Sequence, residues 1–157
     1  MHTIKINMKI RKAKIKDLKE IDEIYREGIL DEEKNKSPRK SKKEILKELD
    51  DSKKYRLKGF RKAINSSRES FLVCEENEEM IGFGNAVLSN KKRSAEVALI
   101  YVRRSQRKKG IGKRILKESL KWLKEKGEKK VFVTMDITNV PSITLNEKVG
   151  FKKSSII

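Results

Sequence analysis

The stretch richest in chemistry is Val102-Arg103-Arg104-Ser105-Gln106-Arg107-Lys108-Lys109-Gly110-Ile111-Gly112-Lys113. An apolar run from Glu96 to Val102 (EVALIYV) leads into it, and a helical pattern begins as it ends. The first turn of a helix leaves backbone N–H groups without partners, and glycines let a ligand approach that backbone closely. Basic side chains around such a turn add attraction, so the segment suits phosphate oxygens. It is not a Walker loop, which needs GxxxxGK followed by Ser or Thr. Nor is it a dinucleotide fingerprint, because the third glycine of GxGxxG falls at position 115, which is Ile.

Other chemistries are struck out by composition. The one His is His2, beside the start Met, and the one Cys is Cys74. No disulfide framework and no Cys/His zinc cage can be assembled, so no metal site is expected. A Ser-His-Asp or Cys-His pairing would have to recruit an N-terminal His, which is seldom held rigidly. The N-terminus, MHTIKINMKIRKAK, has no long apolar run before a cleavage site, and no window approaches the roughly 20 apolar residues of a membrane span. A soluble cytoplasmic protein is expected.

The elements around the loop follow from periodicity. The 157 residues match a one-domain length, so residues 1–157 are expected to form one domain. A strand is expected at about 8–13. Asp17 is placed to cap a helix with Leu18, Ile21, Ile24 and Tyr25 on one face. Residues 31–41 (DEEKNKSPRKS) read as a mobile connection, because they are polar and Pro38 blocks a helix. Two short helical patterns follow, one with Ile45, Leu46 and Leu49, the other opened by Asp51–Ser52 with Tyr55, Leu57, Phe60 and Ile64. Residues 71–75 and 80–88 read as an antiparallel hairpin around EENEE. The runs 96–102 and 131–135 are apolar on both faces and belong mid-sheet. A helix at about 111–126, closed by Gly127, lies between them, and a last short one from about Asn139 or Val140 to Val149 is closed by Gly150, with Phe151 opening a final strand. The fold class is α/β: a mixed, mostly antiparallel twisted sheet of about six strands with helices on both faces.

With those elements in place, the chain resembles the GNAT superfamily of acetyl-CoA-dependent N-acyltransferases. The residues that carry the likeness are Arg107-Lys108-Lys109-Gly110-Ile111-Gly112, matching Arg or Gln, two residues, Gly, any residue, Gly or Ala. Residues 10–25 (IRKAKIKDLKEIDEIY) are similar to the family's opening strand and helix, and 139–151 (NVPSITLNEKVGF) to its closing helix and Gly-Phe pair. The resemblance implies that N–H groups of Arg107, Lys108, Lys109, Gly110, Ile111, Gly112 and Lys113 hold the pyrophosphate of acetyl-CoA as co-substrate. It implies too that the backbone of Ile100, Tyr101 and Val102 pairs with the pantetheine arm, and that Asn139, Ser142 and Asn146, sharing one helical face at spacings of three and four, look at the cofactor. A bulge in the strand before the loop would open a gap and free an N–H for the thioester carbonyl.

The implied reaction is direct attack of a primary amine on the thioester. A lysine amine titrates near ~10.4 and an α-amino group near ~8, so a base helps. Glu96, at the start of the central strand, is the candidate where some members carry a catalytic glutamate; the alternative is an idle carboxylate at a strand end. Asp136 is second choice. Asn146 stands where many members have a Tyr that protonates the departing thiolate. An amide can hydrogen-bond to sulfur but cannot supply a proton, which leaves that task to water or a residue such as Tyr101. Six residues follow Phe151, room for one closing strand rather than two. An open acceptor cleft or a homodimer is expected from that.

The acceptor is less legible. A protein N-terminus, a lysine or a small amine all fit. The formal charge of +18 repels a cationic polyamine unless the cleft is acidic, which tilts the expectation toward a protein N-terminus or acidic-flanked site. The same surplus has a bland explanation in a Lys-rich or heat-adapted proteome. A non-catalytic acyl-CoA-binding or interaction module is the alternative function. Nucleic acid is argued against by 6% aromatics, the lack of a recognised motif and basic residues read as spread along the chain. No membrane partner is expected.

Overall fold

In the computed structural model, which describes residues 7–134 and 140–152, the chain opens with β1 (Met8–Lys12) and a 3-10 turn at Ile15–Asp17. Asp17 stands at the head of α1 (Leu18–Lys36), but its carboxylate caps the 3-10 turn instead, accepting from Lys14 N–H at 2.7 Å. Both of its oxygens also accept from Arg11, at 2.8 and 2.9 Å. Those Arg11 hydrogen bonds hold the carboxyl below the ordinary range despite burial.

Helix α1 runs through the expected connection at 31–36. That stretch lacks apolar periodicity and is fixed by tertiary contacts: Asp31 meets Arg104 and Arg107, and Glu32 meets Tyr101. The two short helices expected next are one, α2 (Lys42–Asn65), capped by Ser41 Oγ accepting from Glu44 N–H at 3.1 Å. Ser52 does not open a new helix. Its hydroxyl donates back to Glu48 O at 2.9 Å and accepts from Arg56, whose Nε donates to Asp22 of α1 at 2.6 Å. The buried stripe is therefore Ile45, Leu49, Phe60 and Ala63, while Tyr55, assigned to it from sequence, is 85% exposed.

Strands β2 (Glu69–Glu76) and β3 (Glu79–Val87) form the expected hairpin, its tip at Asn77 and Glu78, both with positive φ as a type I′ turn requires. β4 (Ala95–Val102), α3 (Ile111–Glu125), β5 (Val131–Phe132) and α4 (Val140–Val149) complete the order. The described sheet has five strands in the order β1-β2-β3-β4-β5, antiparallel except for the parallel β4–β5 pair. Two expectations about it are corrected. β5 is two residues long where 131–135 was expected, and among the described residues it forms the edge of the sheet, with Phe132 43% exposed. Phe151 and Lys152 form no strand; the remainder of the expected closing strand lies outside the described residues.

Helices cover both faces, as the apolar strands predict. On one, α1 and α2 bring Tyr25 and Phe60 against Phe71, Phe83 and Tyr101, ring centroids 5.4–6.1 Å apart. On the other, Ile115, Leu116 and Leu123 of α3 are fully buried against β3 and β4. Each such side chain contributes about 1.5–3 kcal/mol by leaving water, which makes this two-sided core the frame for β4.

Candidate active site

The register of β3 with β4 slips once. Asn85 faces Leu99, but its neighbour Ala86 faces Val97, so Ala98 is an extra residue without a partner. The bulge changes which way later side chains point. Ala95 and Val97 pack toward α3, and so do Ile100 and Val102, while Leu99 and Tyr101 pack toward α1 and α2. Glu96, between Ala95 and Val97, therefore shares the α1/α2 face with Leu99 and Tyr101.

β4 and β5 pair only at Ala95 with Val131 and Glu96 with Phe132. From Val97 onward the β5-facing edge of β4 makes no strand pairing among the described residues, so the two strands form a fork. The backbone of Ile100, Tyr101 and Val102 lies in the open arm of that fork, held on its other side by Gly84, Phe83 and Gly82.

The basic loop starts where β4 ends. A 3-10 turn at Arg104–Gln106 leads to Lys108 and Gly110, with φ of +64° and +80°, and then directly to Ile111. No side chain caps α3, so the N–H groups of its first turn face outward beside a left-handed residue, an anion-binding arrangement. Gly110 is required by its backbone angle, since a Cβ there would meet nothing within 4 Å. Lys109 donates to Gln106 Oε1 at 3.0 Å, and Lys108 and Lys113 lie at the same turn.

The loop is anchored to α1 through residues that sequence reasoning passed over. Arg107 Nη1 donates to Asp31 at 2.6 Å and its Nε to Val102 O at 3.1 Å. Arg104 donates to Asp31 through its side chain and to Glu27 through its backbone N–H. Burial pushes the Asp31 carboxyl up, but the hydrogen bonds from Arg104 and Arg107 outweigh that and hold it below the usual range. The available signal was compositional: α1 has seven acidic residues against four basic ones in a chain of +18, with Glu27 and Asp31 four apart on one face.

Of the proposed catalytic groups, Glu96 accepts from Arg93 Nη2 at 2.6 Å and lies at the closed end of the fork. Tyr101 donates to Glu32 at 3.2 Å, and burial together with that carboxylate pushes its hydroxyl pKa far up. Asn146 is 6% exposed and its Nδ2 donates to Ser142 O, one turn back, at 2.8 Å. Its neighbours Leu145 and Val149 pack α4 on the α3 side of the sheet, Leu145 against Gly112. Asn139 and Asp136 lie outside the described residues. No group of His, Cys, Asp and Glu among the described residues could hold a metal ion, and no described helix is long and apolar enough to cross a membrane.

The same overall fold is found among solved structures. The PaiA N-acetyltransferase of Thermoplasma acidophilum, crystallised with coenzyme A, superposes with a TM-score of 0.81 at 24% identity, covering 96% of this chain and 93% of that one. An N-acetyltransferase of Staphylococcus aureus Mu50 has a TM-score of 0.67 at 26% identity, over 95% of this chain and 86% of that one. An uncharacterized N-acetyltransferase of Methanocaldococcus jannaschii is 26% identical over 103 residues, 62% of this chain; the match spans about half of that relative, 46% of its length. The model of the Acetyltransferase (GNAT) family matches residues 29–151, from the second half of α1 through the loop to the Gly150-Phe151 pair, and the chain belongs to that family.

Proposed function

We propose that the chain transfers an acetyl group from acetyl-CoA to a primary amine carried by a protein, a peptide or a small molecule. The observation that carries this is the fork: an unpaired β4 edge past the Ala98 bulge, ending in an uncapped helix start with a glycine at positive φ. Acetyl-CoA supplies the thioester that the amine attacks. The N–H groups from Arg107 to Lys113 would hold its pyrophosphate and the backbone at 100–102 its pantetheine arm, with Ser142 on α4 and Asn139 facing the cofactor. Glu96, on the α1/α2 face, would take the ammonium proton directly or through water.

Tyr101 is a poor substitute for the Tyr that this family often carries on the closing helix. Its hydroxyl already donates to Glu32, and burial beside that carboxylate makes it hold its proton more tightly than a free phenol, so it is a weaker acid toward a departing thiolate. The proton that completes the thiol then comes from the amine by way of solvent.

Calorimetry with acetyl-CoA at roughly 0.3 M salt, where the Debye length is about 5–6 Å, tests the site without loose phosphate attraction. One-to-one micromolar binding is expected, and Gly110→Val should weaken it by roughly 5- to 150-fold, because a β-branched residue at that φ costs about 1–3 kcal/mol. No binding overturns the proposal. Binding without thiol release over a panel of amines would assign a non-catalytic acyl-CoA-binding role instead.

A further inference from the structure

Asn146 carries a buried polar atom that the fold leaves unused. Its Nδ2 hydrogen bond to Ser142 O fixes the orientation of the carboxamide, since the reverse would set oxygen against oxygen. That leaves Oδ1 as the other end, and Oδ1 is buried with no hydrogen-bond partner. An unpaired buried acceptor is destabilising, so one kept in a fold calls for a partner that the fold itself does not supply, and a bound ligand is such a partner.

The surroundings say which ligand. Leu145 and Val149, flanking Asn146 along the helix, pack with Leu116, Ala95, Val97 and Ile100, the α3-side wall of β4. Leu145 Cδ2 would stand 3.3 Å from a Cβ on Gly112, so α4 rests on the first turn of α3 beside the anion-binding loop. A chain that enters from that loop and runs along the open β4 edge passes this helix. Oδ1 can only accept, so its partner must bring a proton. A thioester sulfur has none, and a thiol is a weak donor present only after transfer. The amide N–H groups of the pantetheine arm are strong donors present both before and after it.

We propose that Asn146 is a binding residue for the pantetheine arm, its Oδ1 accepting a hydrogen bond from an arm amide N–H. The residue then acts on the affinity of acetyl-CoA and CoA alike and does not serve the leaving sulfur. The proposal rests on the acetyl-CoA reading above and assigns a different task to this position from the proton donor that a Tyr provides.

The test is calorimetry of wild type and Asn146→Leu with three ligands: CoA, desulfo-CoA, and adenosine 3′,5′-bisphosphate, which lacks the arm. One lost hydrogen bond should weaken CoA and desulfo-CoA equally, by about tenfold, and leave the bisphosphate unchanged. Thermal melting of the free protein is the second readout. Leu removes an unsatisfied oxygen from an apolar wall, so the Tm should hold or rise while the affinity falls. Asn146→Ala, which removes the same oxygen without adding bulk, should give the same split between ligands. If CoA weakens and desulfo-CoA does not, the contact is to sulfur and the proposal is wrong. Weaker bisphosphate binding or a lower Tm with Leu would make Asn146 a structural residue and overturn it equally. A wild-type protein that binds none of the three sinks the acetyl-CoA reading and this proposal together, a result distinct from any split.

Discussion

Glu96 is held by Arg93, three residues back, on the face of β4 opposite α3. The ion pair orients the carboxylate, which suits a base that works through water. Asn85, on the same face of β3, donates to Ser70 O and toward Glu69, so a second carboxylate lies two strands away. Glu96→Gln should lower kcat about a hundredfold near pH 7 with little change in acetyl-CoA affinity. The deficit should shrink as pH rises toward the acceptor's own pKa, near ~10 for a lysine-like amine, because solvent then removes the proton. Turnover that is unchanged across pH 6 to 9 removes Glu96 from the mechanism.

Among the elements, α1 does more than cover the sheet. Its residues 27–32 reach both the loop, through Glu27 and Asp31, and the open arm of β4, through Glu32. That contact depends on Gly28, where a Cβ would lie 2.2 Å from Tyr101 Cδ1 and 2.5 Å from Cε1. Alanine is the better helix former by about 1 kcal/mol, so intrinsic propensity alone predicts stabilisation by Gly28→Ala. The clash reverses the sign: α1 must lift or Tyr101 must rotate, for a net loss of about 1–3 kcal/mol in urea unfolding and a weaker hold on acetyl-CoA. A more stable variant with full affinity would show that α1 is not seated on β4 in this way. Local signals explain which elements could be read in advance. The glycine turn that opens α3 was legible because its determinants, two glycines and a helix start, are adjacent in the chain. The bulge was not, because nothing in EVALIYV marks Ala98; only the family resemblance implied it. The second half of α1 was hidden because its partners, Arg104 and Arg107, are 73 and 76 residues away from Asp31. The continuity of α2 was hidden because Asp51–Ser52 mimics a cap whose hydroxyl the fold directs backward instead.

Across the whole molecule, the surplus of charge is concentrated rather than spread evenly along the chain. Residues 103–126, the loop and α3, hold eleven Lys and Arg against two Glu, a surplus of nine and half of the total +18. Residues 69–88, the hairpin, hold five Glu and no basic residue, so the field is directed as well as large. Its strong end contains the turn proposed to bind phosphate, and the cations of α3 continue outward from it. Lys117 is exposed, has no ion-pair partner among the described residues, and lies about 10 Å along the helix axis from Gly110. That distance is about one Debye length at 0.1 M salt and several at 1 M, where the length is about 3 Å. Lys117 therefore acts on an approaching polyphosphate at low salt without touching the bound one. Lys117→Glu should slow acetyl-CoA association about two- to fivefold at 0.1 M in stopped-flow, leave dissociation unchanged, and match wild type at 1 M. A change in the dissociation rate would place Lys117 in the binding site itself, and equal association rates at 0.1 M would mean that the basic face of α3 does not steer.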